Sequence, residues 1–204
     1  LDEFPEFRKD ALEAMRQPLE DGVVTIPRAS GSLPLPSRFM LVCAMNPCRC
    51  GWFGHPSGRC TCTDSQVQSY LRRISGPLLD RIDMHVEVPS VEYEAMRRKE
   101  QPESSQQVRS RVNAARQVQQ RRYEGTGVTC NAYMTPAMIG QYCQLDTAGE
   151  KLMQGAFDRL GLTGRSHDRI LRMARTIADL EGETQILPAH LAEAIQYRSS
   201  AMLK

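Results

Sequence analysis

The sequence predicts an α/β portion followed by a small helical bundle, and three observations carry that prediction. Residues 38–46, RFMLVCAMN, are a continuous apolar run bounded by turn formers, the pattern of a strand buried in a parallel sheet. Residues 84–88, MHVEV, alternate apolar and polar side chains, the pattern of a second strand. Beyond the polar, charged stretch from Pro89 to Pro102, the remaining segments look helical.

The elements follow in order. Leu12, Met15 and Leu19 place residues 8–20 on a helix that Asp21-Gly22 ends. Val23 to Ile26 are β-formers and Gly31-Ser32 makes a tip, so residues 23–36 form a hairpin. Pro27, Pro34 and Pro36 make it an irregular, edge-exposed one. The strand at 38–46 follows, then a cysteine loop, then a helix over 64–75 with Asp64 as its N-cap. A helical turn at 77–82 leads to the strand at 84–88. Residues 1–90 therefore form the α/β part, 91–103 a linker and 104–204 the bundle. Its helices are expected at 104–123, 135–143, 147–160, 165–181 and 188–199. Thr135-Pro136 caps the second, and Gly161, Gly164 and Gly182 punctuate the rest.

Composition narrows the function classes. The chain has 204 residues, 41% hydrophobic and 25% charged, with a net charge of +2, so it can bury a core, and charge alone does not imply nucleic acid. Only four of its 26 basic residues are lysines (Lys9, Lys99, Lys151 and Lys204). Arginine suits phosphate and carboxylate recognition, although an arginine-rich genome explains the bias equally well. No apolar run approaches a membrane span and no signal peptide is visible. Seven cysteines, four of them clustered and Cys43, Cys130 and Cys143 scattered among apolar neighbours, suit a cytoplasmic protein with one metal site better than a secreted disulfide framework. The first residue is Leu rather than Met, which predicts a fragment of something longer.

Four of the seven cysteines cluster as C-x-C-x9-C-x-C: Cys48, Cys50, Cys60 and Cys62. Four thiolates in so short a span suit a closed, structural Zn²⁺ site, with His55 able to replace one of them; unliganded reduced thiols are the alternative. Glycines and Pro56 let the loop fold back on itself.

Four further groups carry chemistry. Asp2-Glu3 is an acidic pair of the kind that holds Mg²⁺ and orients water in an NTPase, or else a solvated end. Asn46, at the end of the apolar run, is a neutral amide that can position water beside a phosphate, or else part of an Asn-Pro turn. Arg81, in SGPLLDRID, is presented between a helix and a strand and can reach a neighbour's nucleotide, or else pairs with Asp80 or Asp83. Arg165 begins a helix with an apolar face of Ile170, Leu171, Met173, Ala174 and Ile177, and either closes onto phosphates or lies on a solvated face.

In this order and spacing the four groups resemble the second half of an AAA+ ATPase core, and the sequence resembles the Mg-chelatase-like AAA+ proteins of the ComM/YifB type. LDEFPEF, ALEAMRQPLEDG, FMLVCAMNPC, SGPLLDRIDMHVEVP and ILRMARTIADLEG carry the resemblance across nearly the whole chain. It implies a partial P-loop NTPase core, a parallel sheet with helices, followed by an all-α lid. It implies that LDE is the tail of a Walker B strand, with Asp2 the Mg²⁺-associated acid and Glu3 the catalytic one. Asn46 becomes sensor 1, Arg81 a finger acting in trans and Arg165 the sensor 2 arginine, with Arg169 an alternative for that role. ATP would lie between subunits of a ring, a hexamer by the family pattern. The hairpin is similar to the pre-sensor hairpin of hexameric helicases, and Arg28 near its tip would grip DNA phosphates without reading sequence.

One departure is large. Phosphate cradling needs G-x-x-x-x-G-K-[ST], and no Gly-Lys dipeptide occurs in this chain. ATP binding and hydrolysis are therefore expected of the intact protein. The expected activity is an ATP-driven DNA motor of the branch-migration type, acting on single-stranded or branched DNA in recombination and transformation. The alternatives are a chelatase-like ATPase that remodels a protein partner and a zinc-stapled interaction module.

Overall fold

The structure, a computed structural model, describes residues 1–29, 31–90, 97 and 103–198. The chain divides into two compact units, Leu1–Asp83 and Met84–Ser200.

The first unit opens with a 3₁₀ turn, Phe4–Glu6, then α1 (Lys9–Ala14) and α2 (Arg16–Asp21). Gly22 ends α2 in the left-handed conformation (φ 65°), which an L side chain rarely adopts, and the Arg38 side chain lies against the space where a Cβ would stand. β1 (Val23–Arg28) and β2 (Gly31–Pro36) form an antiparallel hairpin; Ser30 lies outside the described residues. The Ser37 N–H donates to the Gly22 carbonyl at 2.7 Å. That bond puts Val24↔Leu35, Ile26↔Leu33 and Arg28↔Gly31 in the hydrogen-bonded set of pairs. Pro27, Pro34 and Pro36 all fall in the other set, so none interrupts the ladder and the hairpin is regular where an irregular one was expected.

α3 (Asp64–Leu71) is capped by Thr63, not Asp64. Thr63 and Gln66 form a reciprocal capping box, with the Gln66 N–H on the Thr63 hydroxyl at 3.3 Å and the Thr63 N–H on Gln66 Oε1 at 2.9 Å. The preceding residue thus satisfies the two orphan donors, and Asp64 occupies the first turn, where an acid suits the helix dipole. α4 (Gly76–Leu79), capped by Ser75, is shorter than the expected turn at 77–82. Phe4, Leu12, Ile74 and Leu78 make one core; Val67, Tyr70 and Leu71 pack with Cys48 in a second.

The expected buried strand at 38–46 is not formed, nor is the one at 84–88; the hairpin is the one sheet among the described residues. The apolar run is real but uncovered: Met40 is 87% and Val42 67% exposed. A run becomes a buried strand only when both its edges are paired and both its faces covered. Here one edge meets residues 1–4 alone. The Leu1 nitrogen donates to the Val42 carbonyl (2.7 Å), and the Ala44 N–H donates to the Leu1 carbonyl (2.8 Å). Those two bonds flank Cys43 as one step of a parallel ladder does, and a single step is not a sheet.

The second unit is helical: α5 (Ser105–Arg122), α6 (Pro136–Tyr142), α7 (Thr147–Leu160), α8 (Gly164–Glu181) and α9 (Pro188–Gln196). Ser104, Thr135, Asp146 and Thr163 cap the first four through their side-chain oxygens. Tyr123, Met134, Ile139, Met153, Ile170 and Leu191 lie in the core of this bundle. Cys143 is buried there too, and burial pushes its thiol up to about 11, which makes it an inert apolar filler. Most of the expected 91–103 linker lies outside the described residues. No described helix is long and apolar enough to cross a membrane.

A buried polar hub ties the bundle together. The Asp179 carboxylate accepts from Arg122 (2.7 Å), from Asn131 Nδ2 (2.9 Å) and from Arg175 Nε (3.1 Å). Arg175, 2% exposed, spends its other nitrogens on the Thr184 and Glu183 carbonyls just past α8. Burial alone would raise the Asp179 pKa; the bonds from Arg122 and Asn131 and the two guanidinium charges outweigh it and hold the carboxyl below its ordinary value. A depressed acid contributes stability that is complete above the unfolded pKa, roughly 3.9, and is lost as pH falls through the lower folded value. Asp179→Asn leaves two guanidinium groups without their anion and is expected to cost about 3 kcal/mol at pH 7. In urea melts of the helical unit the variant unfolds earlier at pH 7, and its gap to the parent narrows below pH 4.

Candidate functional site

The acidic pair and the asparagine come from segments that lie side by side. After the Leu1–Cys43 step, an ideal parallel ladder places the next donor at residue 3. Instead the Phe4 N–H reaches the Ala44 carbonyl, at 3.0 Å. One residue is therefore extra, and it is Glu3, which adopts φ 50°, ψ 43°. Glu3 is the one non-glycine with positive φ among the described residues. Such bulges and strained residues re-aim side chains and cluster at functional sites. Glu3 and Asp2 are both exposed, and Asp2 Oδ1 accepts the Glu3 N–H at 2.9 Å. Asn46 lies two residues beyond Ala44, with its amide oxygen 3.9 Å from where a Cβ on Gly51 would stand, an ordinary contact distance.

Arg81 is not extended outward. Its guanidinium pairs with Glu20 on α2 and donates to the Pro77 carbonyl at 2.7 Å. Only 11% of its side chain is exposed. It borders a cleft of about 470 Å³ with Glu13, Arg16 and Asp21. The sequence named Asp80 and Asp83 as ion-pair partners; Glu20, 61 positions away, was missed. Nothing local marks that pair, because tertiary packing sets it.

Arg165 and Arg169 belong to the helical unit. Both are in the first turns of α8, one turn apart, with Arg165 exposed and Arg169 half-buried. A cation in a helix's first turn opposes the helix dipole, so helix stability does not explain Arg165. Arg28 ends β1 and is exposed, as are both strands from Thr25 to Arg28 and from Gly31 to Pro36.

The four loop cysteines converge. Their sulfurs all lie within 4.8 Å of one another. Cys48–Cys50 is 3.3 Å, Cys50–Cys60 3.6 Å and Cys48–Cys60 3.9 Å. Zn–S bonds of about 2.3 Å in a tetrahedron give S···S edges of about 3.8 Å, so the cage has zinc dimensions. None of these separations is a disulfide. Backbone N–H groups aim at the sulfurs: those of Trp52 and then Thr61 draw the Cys50 thiol down to about 6. Cys60 also receives one, from Cys62, yet desolvation and the nearby Cys50 and Cys48 sulfurs push it up to about 11. One thiolate thus opposes the next, a conflict that a dication resolves. His55 is not a fourth ligand in place of a cysteine; its Nδ1 accepts the Ser57 N–H at 3.0 Å and its ring packs on Trp52.

Comparison with known proteins identifies the family of the chain. Residues 1–96 match the family described as magnesium chelatase, subunit ChlI, and residues 102–198 match magnesium chelatase, subunit ChlI C-terminal. The chain is 41% identical to Competence protein ComM of Haemophilus influenzae over all 204 residues. It is 38% identical to Uncharacterized protein YifB of Escherichia coli and 36% to Uncharacterized protein Rv2897c of Mycobacterium tuberculosis, each over 98% of this chain. It spans 39%, 38% and 39% of those three relatives' lengths. The chain belongs to the magnesium-chelatase ChlI-like family, in the group that includes ComM and YifB.

Proposed function

We propose that this chain is part of a ring-forming AAA+ ATPase that works as an ATP-driven DNA motor of the branch-migration type. The observation that carries the reading is the hairpin: two paired strands, largely exposed, ending on Arg28 and placed immediately before the segment that leads to Asn46. Similarity to a competence protein supports DNA as the track. A basic loop tip that grips phosphates gives sequence-independent, salt-sensitive contact, as a motor needs.

In the intact protein ATP supplies the phosphoryl group whose transfer to water drives the cycle. Asp2 would hold the hydrated Mg²⁺, Glu3 would polarise the attacking water and Asn46 would position it without adding charge. Arg81 leaves Glu20 to reach the nucleotide of the neighbouring subunit, and Arg165, with Arg169 as the second candidate, couples the helical unit to nucleotide state. A hexamer is the assembly this division of labour suits. Cys48, Cys50, Cys60 and Cys62 would hold one structural Zn²⁺ that would stiffen the segment between Asn46 and Arg81 and take no part in hydrolysis.

The family description favours one other reading, a chelatase-like ATPase that remodels a protein partner. That activity has no use for a DNA-gripping hairpin, so Arg28→Ala leaves it intact.

Two measurements test these assignments. ATP hydrolysis by the intact protein is expected to rise with single-stranded or branched DNA. Arg28→Ala abolishes the stimulation while leaving basal turnover, and Arg81→Ala lowers turnover itself by about 10³-fold or more. Hydrolysis indifferent to every DNA tested sinks the motor. For the cage, metal analysis of the purified chain is expected to give about one zinc per molecule. Cys50→Ser and Cys60→Ser lose it, and a strong chelator lowers the melting temperature of the parent chain but not of either variant.

A further inference from the structure

The cysteine loop carries more than its thiols. Residues 46–63 contain Arg49 and Arg59 and no carboxylate. They expose two aromatic rings at successive positions, Trp52 at 37% and Phe53 at 39%. A metal staple requires neither ring. Trp52 is held in place: the His55 ring meets it edge-on at a centroid distance of 4.9 Å, and the Arg59 guanidinium carbon lies 5.1 Å from its centroid. A groove of about 600 Å³ opens beside the thiols, lined by Arg49, Thr61, Ser65, Gln66, Ser69 and Arg73, with no carboxylate among its lining residues. Arg73 is steadied by Glu6 at 2.6 Å.

We propose that this face binds single-stranded nucleic acid, with bases stacked on Trp52 and Phe53 and the phosphates lying along the arginine- and hydroxyl-lined groove. Flat rings backed by a guanidinium, next to hydroxyl and amide donors, are the components of a sequence-tolerant single-strand site. A duplex keeps its base faces stacked internally, so the rings select the single strand. The proposal deepens the DNA reading and rests on nucleic acid being the ligand; it adds a contact on the same unit as Arg28 but distant from it in sequence. The two contacts differ in kind. A zinc-loaded cage carries two negative charges on buried and half-buried sulfurs, which offset Arg49 and Arg59 overall while leaving both guanidinium groups exposed at the surface. Stacking on the two rings therefore adds to the phosphate contacts here, a component that Arg28 alone does not supply.

Trp52 is the chain's one tryptophan, so its emission reports this site alone. The zinc-loaded chain is titrated with oligothymidylate of about twelve nucleotides. Binding is followed at once by Trp52 emission and by anisotropy of a label on the oligonucleotide. Saturable quenching of Trp52 is expected, coincident with the anisotropy change. Phe53→Ala weakens binding about fivefold or more, while Phe53→Tyr, which keeps the flat ring, restores it. Arg49→Ala lowers the salt slope by about 0.7. Zinc content and circular dichroism of each variant exclude a collapsed loop as the cause. Oligonucleotide binding that leaves Trp52 emission unchanged, or that survives Phe53→Ala, overturns this inference and leaves the motor reading to stand on Arg28. Quenching that behaves as expected, in a protein whose hydrolysis ignores DNA, keeps the inference and removes the motor.

Discussion

Three backbone hydrogen bonds between residues 1–4 and 42–44 organise the first unit. They hold the acidic pair beside the segment that ends on Asn46, and they seat Phe4 against Leu12, Ile74 and Leu78 in the core. The insertion of one residue in that pairing is what puts Glu3 in a left-handed conformation. A non-glycine there costs on the order of 1 kcal/mol or more, which burial of the next side chain, Phe4, at about 2 kcal/mol is able to offset. Strain at the candidate catalytic acid and packing behind it are thus two consequences of one register.

The helical unit is organised on a different principle. Its apolar contacts would allow several helix arrangements, because apolar packing is not directional. The Asp179 carboxylate is directional: it takes Arg122 from α5, Asn131 from the turn before α6 and Arg175 from its own helix, so only one mutual placement satisfies all three. Arg165 and Arg169 lie at the other end of that helix, α8. If Arg165 or Arg169 takes the proposed sensing role, a rigid α8 would pass its movement along the bundle as a movement of the whole helix.

What the sequence disclosed divides along the range of the interactions. Helix existence and most caps are written within four residues, and Thr135, Gly161 and Gly182 were all legible in place. The Thr63–Gln66 box was equally local, yet the more familiar Asp64 drew the assignment one residue late. The cysteine cage was legible because spacing alone brings the ligands together. The runs at 38–46 and 84–88 have strand composition, but a strand is a property of a pair, and composition does not supply the partner. The Asp179 hub was invisible for the same reason: Arg122, Asn131 and Asp179 are ordinary polar residues until the fold gathers them.

The Glu20–Arg81 pair bears directly on how a ring would fire. An arginine that serves a neighbour must be charged, positioned and not permanently committed. Glu20 supplies the counter-charge to a largely buried Arg81 in a lone subunit, where an unpaired guanidinium would otherwise cost several kcal/mol of desolvation. Moving it to a neighbour's phosphate exchanges one anion for another, so the step trades like for like instead of stripping a bare cation. The net free energy of the exchange is then set by the difference between a carboxylate and a more highly charged phosphate, which favours the nucleotide. In the proposed ring, loss of the terminal phosphate would remove much of that difference and return Arg81 to Glu20. On the proposed role of Arg81, the same ion pair that holds it in the single subunit would make its engagement depend on what nucleotide the neighbour holds.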